Sequence, residues 1–306
     1  MIAVAALVGA TAVGKTALSL ELAESLRAEI VSVDSMQIYR GMDVGTAKPS
    51  PAERRRVPHH LLDLKDPAEE VTVAEFQRLA REAIEDVTAR GRLPLLVGGS
   101  GLYLRAVIDD LRFPPRDPAV RARLEITAEE MGVEAMHARL AEVDEEAAAR
   151  IEPANARRII RALEVIRLTG RRFSEFGAAW ERFESVYDLR IAGLRRSRAD
   201  LYARIEQRVD EMLANGLVEE ARALSARRLA RTAAQALGYR QILAAPEGRP
   251  EEVRDEIVRA TKRFARRQES WFSADPRIRW FDAAAPGMAG EVTSFLSRGG
   301  EEGKVP

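Results

Sequence analysis

The chain has no cysteine and three histidines among 306 residues. Without thiols there can be no disulfide framework, no cysteine nucleophile and no thiolate metal site. His59, His60 and His137 are too few and too scattered for a zinc centre, so a metal here should be an oxygen-bound one such as Mg2+. Long apolar runs are also missing: none approaches the ~20 residues of a membrane span. Met1 leads straight into a strand-like segment with no basic stretch or cleavage site, which predicts a cytoplasmic protein with no membrane partner. Net charge is absent too, 48 Lys and Arg balancing 48 Asp and Glu. Locally the balance fails. Glu125 to Glu152 is mostly acidic, Arg157 to Arg172 holds six arginines against Glu164 alone, and Arg222 to Arg240 holds five against no acid. Such asymmetry allows a polyanion to bind one face of a neutral protein. No internal repeat or low-complexity tract occurs, and a monomer long enough for two domains is expected.

What is present begins at Gly9 to Thr16, G-A-T-A-V-G-K-T, which fits G-x-x-x-x-G-K-[ST], the phosphate-cradling P-loop. Its flanks agree: Ile2 to Val8 is an apolar strand-like run, and Ala17 to Arg27 carries Leu18, Leu22 and Leu26 at helical spacing. Gly9, Ala10, Thr11, Ala12, Val13, Gly14, Lys15 and Thr16 are therefore candidate diphosphate ligands. Backbone amides and the helix N-terminus would converge on the anion. Lys15 would add charge, and the Thr16 hydroxyl would help to hold Mg2+.

Further on, Ile30 to Val33 reads as a strand ending at Asp34, a carboxylate where open α/β sheets keep their sites. It could serve as metal ligand, general base or helix cap. Arg54 to Arg56 reads as a solvated charge run, Pro58 to Leu64 as a short strand, and Val73 to Arg90 as a helix. His59 and His60 read as packing or loop residues. Leu93 to Val97 is a third strand ending in Gly98-Gly99-Ser100-Gly101, a second glycine-rich turn that lets backbone approach a ligand. The fold class is α/β: a P-loop NTPase-like parallel sheet core with an inserted all-helical domain and long C-terminal helices. The core should span 1–114 and 187–306 and the insertion 115–186, where prolines from Pro114 mark a boundary and helical patterns follow.

Within the insertion Ile159, Leu163 and Ile166 form a stripe, with Arg157, Arg158 and Arg161 to the other side. These arginines suit a phosphate backbone, or else they pair with Glu164 and the acidic stretch before it. Toward the C-terminus, Leu189 to Leu194 reads as strand, and Ala199–Ala214, Val218–Ala226, Ala233–Ala244 and Glu251–Phe272 as helices. In the last, Arg259, Lys262, Arg263, Arg266 and Arg267 share one face, while Phe264, Ala265 and Trp271 take the other. Arg298 to Pro306 looks like a frayed polar tail.

These segments together resemble the tRNA dimethylallyltransferases, also called tRNA isopentenyltransferases, over nearly the whole chain. The resemblance rests on the P-loop, D-S-M-Q-I-Y-R-G-M-D-V-G-T-A-K-P at 34–49, P-H-H-L-L-D at 58–63 and G-G-S-G-L-Y-L at 98–104. It continues through R-R-I-I-R-A-L-E-V at 157–165, Q-A-L-G-Y-R at 235–240 and R-R-Q-E-S-W-F at 266–272. It implies transfer of a dimethylallyl group from dimethylallyl diphosphate to the exocyclic amine of the adenosine 3′ to the anticodon, position 37. Asp34 and Ser100 would be the catalytic residues, with Asp34 as the general base. The base would be flipped out to meet Asp34, Ser35, Met36, Gln37 and Ser100, and Arg121, Arg157, Arg158, Ile159, Ile160 and Arg161 would hold the anticodon stem-loop. The chain departs from the family pattern at Ala10, often proline, at Ser100, usually threonine, at Gln235, an arginine in some members, and at Glu152-Pro153-Ala154-Asn155. A P-loop small-molecule or nucleoside kinase is the alternative that shares the opening residues; it needs no basic surface of tRNA size.

Overall fold

The computed structural model describes residues 1–177, 182–245 and 250–297. Its centre is one parallel sheet of six strands in the order β3-β2-β4-β1-β5-β6. In chain order these are β1 (Ala3–Gly9), β2 (Ala28–Ser32), β3 (His59–His60), β4 (Leu93–Gly98), β5 (Asp188–Arg195) and β6 (Ile278–Asp282). The helices before the insertion are α1 (Lys15–Ser25), α2 (Pro51–Arg56), α3 (Val73–Ala89) and α4 (Gly101–Ile108). The insertion contributes α5 (Pro118–Met131), α6 (Val133–Val143), α7 (Glu145–Arg150) and α8 (Ala156–Thr169). After it come α9 (Arg198–Ala214), α10 (Leu217–Ser225), α11 (Arg231–Ala234), α12 (Tyr239–Ala244), α13 (Pro250–Ser273) and α14 (Met288–Ser297). Among the described residues no helix is long and apolar enough to cross a membrane.

A parallel sheet needs cover on both faces, and the strand alternation supplies two cores. Val4, Ala6 and Val8 of β1 point into one with Phe76 and Ile84 of α3, Leu104 of α4 and Ile257 and Phe272 of α13. Ala5 and Leu7 point into the other with Leu18 and Leu22 of α1, Leu201 and Ile205 of α9 and Val292 of α14. The chain forms two compact units, Met1–Asp109 with Ser185–Pro306 and, separately, Asp110–Glu184. The smaller unit has its own core, built from Leu124, Met136, Leu140, Ile151, Ile159 and Leu163.

Several local expectations change. The strand expected over 58–64 shrinks to His59–His60, because Leu61 (φ 65) and Asp63 (φ 57) turn left-handed. The helix expected over 233–244 is two short ones separated at Gly238 (φ 87). Arg54 to Arg56 lie in α2, started by a Ser50–Glu53 capping box, and are not a free charge run: Arg54 pairs with Asp63, and Arg56 with Glu24. On the face of α13 opposite the cations, Ala265 is buried at 0% but Trp271 is 43% exposed; Val253, Ile257, Val258, Ala260, Gln268 and Phe272 are also buried. β6 and α14 were not anticipated, since Ile278–Asp282 is a five-residue edge strand with only Ile278 and Phe281 buried. The 298–306 tail lies outside the described residues.

The close approach of β4 to β2 yields a stability prediction. A Cβ on Gly98 would lie 2.7 Å from the Val33 carbonyl oxygen, a backbone atom that cannot swing aside. Gly98→Ala is expected to cost about 1–3 kcal/mol by overpacking, read as a lowered denaturant midpoint. Gly91→Ala, where no heavy atom lies within 4 Å, should show no such clash, although its φ of 68 carries its own strain.

Candidate active site

The carboxyl ends of β1, β2 and β4 carry the segments singled out from the sequence, as an open α/β sheet requires. β1 stops at Gly9, where a Cβ would lie 2.6 Å from Leu194 O, and the loop then turns through Ala12 (φ 64) and Gly14 (φ 113) into α1. Gly14 caps α1 with no side-chain hydrogen bond, so the first-turn amides keep the orphan donors that suit an anion. Ala12 in left-handed space is strain at the loop's apex. Flanking side chains hold the loop in this shape. Arg196 Nε donates to Val13 O at 3.0 Å, Arg204 Nε to Ala12 O at 3.0 Å, and Thr11 N to Gln268 Oε1 at 2.9 Å.

Lys15 and Thr16 line a hollow with Ser32, Asp34, Gln37, His59, Gly98, Gly99, Arg208 and Gln268. Lys15 Nζ donates to Gly9 O (2.9 Å) and Ala10 O (2.8 Å). Burial, and after it the repulsion of Arg208, lower its pKa to about 7, against a smaller opposing pull from Asp34. Burial lowers the Arg208 pKa as well, and this guanidinium makes no hydrogen bond or ion pair among the described residues. Arg208 was not singled out from sequence. The signal was there: it sits three residues after buried Ile205 and one before buried Val209, at a core-facing helical position. Gln268 was missed likewise, between Phe264 and Phe272 at four-residue spacing.

Asp34 follows β2, and its Oδ1 accepts from Met36 N at 2.9 Å. This is an Asx turn, not the helix cap considered from sequence; it orients the carboxylate and leaves Oδ2 without a hydrogen bond among the described residues. Ser100 occupies the N-cap position of α4 without a capping bond, half-buried and one residue beyond the hollow's lining. His59, read as packing, lines the hollow. Its Nδ1 lies 2.8 Å from Val57 O, a bond that needs a proton on Nδ1, and burial, outweighing the upward pull of that bond, lowers the pKa and so favours the neutral ring with Nε2 as acceptor.

The segment after Asp34 is largely tied down. Gln37, expected to meet RNA, has its amide in use: Oε1 accepts from Ser32 Oγ at 2.8 Å, and Nε2 donates to Thr46 O at 3.2 Å and Ala47 O at 3.4 Å. Ser35 and Met36 beside it are half-buried. Lys48 Nζ bonds Tyr39 O, Asp43 and Asp63, which joins the 34–49 segment to the 58–63 segment. Glu220 of α10 accepts from the amides of Asp43, Val44 and Gly45 and from Tyr239 Oη.

In the smaller unit the sequence candidates divide. Ile159 and Ile160 are core residues at 0% and 5% exposure, so their side chains cannot meet RNA. Arg161 is used internally, donating to Pro114 O, Pro115 O and the buried Glu164. Arg121 bonds Glu125 and lies 3.8 Å from Glu164. Arg157 and Arg158 are exposed, and their side chains have no partner among the described residues.

A P-loop at the switch point of a parallel sheet, with two cations and a carboxylate in one hollow, defines a P-loop enzyme that handles a phosphate or diphosphate group. Comparison narrows the class. The family model described as IPP transferase matches residues 37–275. The "tRNA dimethylallyltransferase" of Streptomyces coelicolor is 56% identical over 281 residues, 90% of this chain and 89% of that protein. The crystal structure of the Bacillus halodurans tRNA isopentenylpyrophosphate transferase aligns over 97% of this chain and 96% of that one, at 42% identity and TM-score 0.71. A eukaryotic dimethylallyltransferase described as acting on tRNA aligns over 92% of this chain and 74% of that one, at 26% identity and TM-score 0.80. The chain belongs to the tRNA dimethylallyltransferase family, enzymes that transfer a dimethylallyl group to an adenosine of tRNA.

The lowered Lys15 pKa generates a prediction. A bound diphosphate restores the charged form, so above pH 7 binding should take up a proton, and affinity should fall as pH rises from 7 to 9. Titration calorimetry in buffers of different ionisation enthalpy would read the uptake, and Lys15→Arg, whose charge does not titrate, isolates it from the ligand's own ionisation. Equal proton uptake in both proteins would rule it out.

Proposed function

We propose that the hollow binds dimethylallyl diphosphate and that the chain transfers its prenyl group to the exocyclic amine of adenosine 37 in cytoplasmic tRNA, releasing diphosphate. The observation that carries this reading is the shared hollow in which Lys15 and Arg208, neither in an ion pair with a carboxylate among the described residues, face Asp34. The loop amides and the two cations bind the diphosphate and stabilise the charge that develops as the carbon–oxygen bond breaks. The adenine amine is a poor nucleophile, its lone pair delocalised into the ring. Asp34, oriented by Met36 N, accepts the amine proton as the new carbon–nitrogen bond forms. Ser100, whose hydroxyl makes no hydrogen bond among the described residues, is suited to orient the base.

Mg2+ fits the residues present. The Thr16 hydroxyl and Asp34 line the hollow, both are hard oxygen donors, and Thr16 Oγ1 has no hydrogen bond among the described residues. No cluster of three acidic, histidine or cysteine side chains occurs among those residues, so the ion would be held jointly with diphosphate oxygens. When bound it would offset charge on the leaving group. Arg157 and Arg158 are proposed as backbone contacts for the anticodon stem-loop.

Incubation with radiolabelled dimethylallyl diphosphate, Mg2+ and bulk tRNA should place label in RNA. ATP turnover without RNA and no labelling would instead favour the kinase. Asp34→Ala is expected to slow single-turnover transfer by ~100-fold or more while donor and tRNA affinities hold; a rate within a few-fold of wild type would exclude it as the base. In the smaller unit, Arg158→Ala should shallow the salt dependence of tRNA binding by about 0.7–0.9 of a slope unit with no loss of melting temperature. Arg161→Ala, which removes the closest cation from the buried Glu164 and leaves it Arg121 at 3.8 Å and the Asp117 amide, should lower the melting temperature.

A further inference from the structure

Gln268 bridges two loops of the hollow with its side-chain amide. It lies on the inward row of α13 at 7% exposure. Its Oε1 accepts from Thr11 N in the β1–α1 loop at 2.9 Å, and its Nε2 donates to Gly99 O in the β4–α4 turn at 2.8 Å. The amide orientation is not open to choice, since a backbone N–H can only donate and a carbonyl can only accept. Although β1 and β4 pair up to Val8 and Gly98, no backbone hydrogen bond links the loops beyond them among the described residues.

The turn is shaped to receive this helix. A Cβ on Gly99 would lie 2.3 Å from Gln268 Nε2, and one on Gly101 would lie 1.8 Å from the Trp271 ring. Gln268 and Trp271 are three residues apart on α13, so two neighbouring side chains of one helix seat against two glycines of one turn. The same glutamine occupies the Thr11 amide, which is thereby withdrawn from the donors available to an anion.

We propose that Gln268 is a positioning residue that sets the distance between the diphosphate loop and the Gly98–Gly101 turn, and so between the donor carbon and the base held beside Ser100. This rests on the function proposed above. Displacement transfer requires the two reacting atoms to be held near contact, and a misplacement of ~1 Å can cost on the order of 100-fold. With the strut removed, each loop keeps its own fold but their separation is no longer fixed.

Two variants test this. Gln268→Met has similar length and removes both bonds. Gln268→Glu, when protonated, can make both again, its carbonyl oxygen accepting from Thr11 N and its hydroxyl donating to Gly99 O. The expected result for Gln268→Met is a single-turnover rate at saturating donor and tRNA lowered by about 10- to 100-fold, with tRNA affinity unchanged. For Gln268→Glu the rate relative to wild type should rise as pH falls, while the Gln268→Met ratio stays flat. A saturated rate within twofold of wild type in the methionine variant would overturn the proposal. So would a loss confined to tRNA affinity, which would make Gln268 an RNA contact, or parallel pH ratios in the two variants, which would reduce it to packing. Calorimetry with inorganic diphosphate gives a readout free of the transfer reaction: Gln268→Met should bind several-fold more weakly. Were that seen while wild type failed to label tRNA, the functional reading would fall and the role of Gln268 in shaping the loop would stand; unchanged diphosphate binding together with an unchanged rate would sink the latter.

Discussion

Holding positive charge half-buried, with no anion of its own to neutralise it, is the constraint on which the larger unit depends. Lys15 and Arg208 both lose stability of their charged forms to burial, and Asp34 is the sole carboxylate in the hollow's lining. Desolvating a cation without a partner is costly, so the surrounding structure must be stable enough to impose it. Lys15 rests on Gly9 O and Ala10 O, and the loop carbonyls further along are held by Arg196 and Arg204. The strained Ala12 belongs to the same arrangement.

The segment most diagnostic of the family does more structural than chemical work. Of Asp34 to Pro49, only Asp34 keeps a free functional oxygen facing the hollow. Gln37 and Lys48 use their polar groups internally, and Glu220 satisfies three successive amides of the segment from a helix some 170 residues later in sequence. A half-buried carboxylate that accepts several backbone hydrogen bonds orders a loop, because each donor left unmet would carry its own desolvation penalty. Gly45 pressed against the Tyr239 ring, where a Cβ would lie 2.4 Å away, seals the same joint. In the smaller unit Arg161 and Glu164 act alike, tying α8 back to the residues through which the chain enters.

Much was readable from the residues in order. A G-A-T-A-V-G-K-T run between an apolar strand and a helix has one structural solution, since left-handed glycines and a first-turn lysine are local properties. The parallel α/β core followed from strands alternating with helices, and Asp34 from its place at a strand end. The family itself was legible because its motifs are contiguous in sequence. What depends on partners far along the chain was not legible. Whether Glu220 caps the amides of Asp43 to Gly45, whether the Ile160 side chain is exposed or packed in the core, and whether β6 pairs with β5 are settled by which surfaces come together, and no local pattern carries that information.

Sequence alone therefore determined the P-loop and the carboxylate at the end of β2, each encoded within a few adjacent residues, and the family through several such contiguous motifs. Tertiary structure alone decided that Arg208 is the second cation of the hollow, that Gln268 spans the two loops, and that of the insertion's RNA candidates only Arg157 and Arg158 remain without a partner among the described residues. The physical reason is that a side chain's role is set by what desolvates it and what pairs with it, and for Gln268 those groups lie 257 and 169 positions away in the chain.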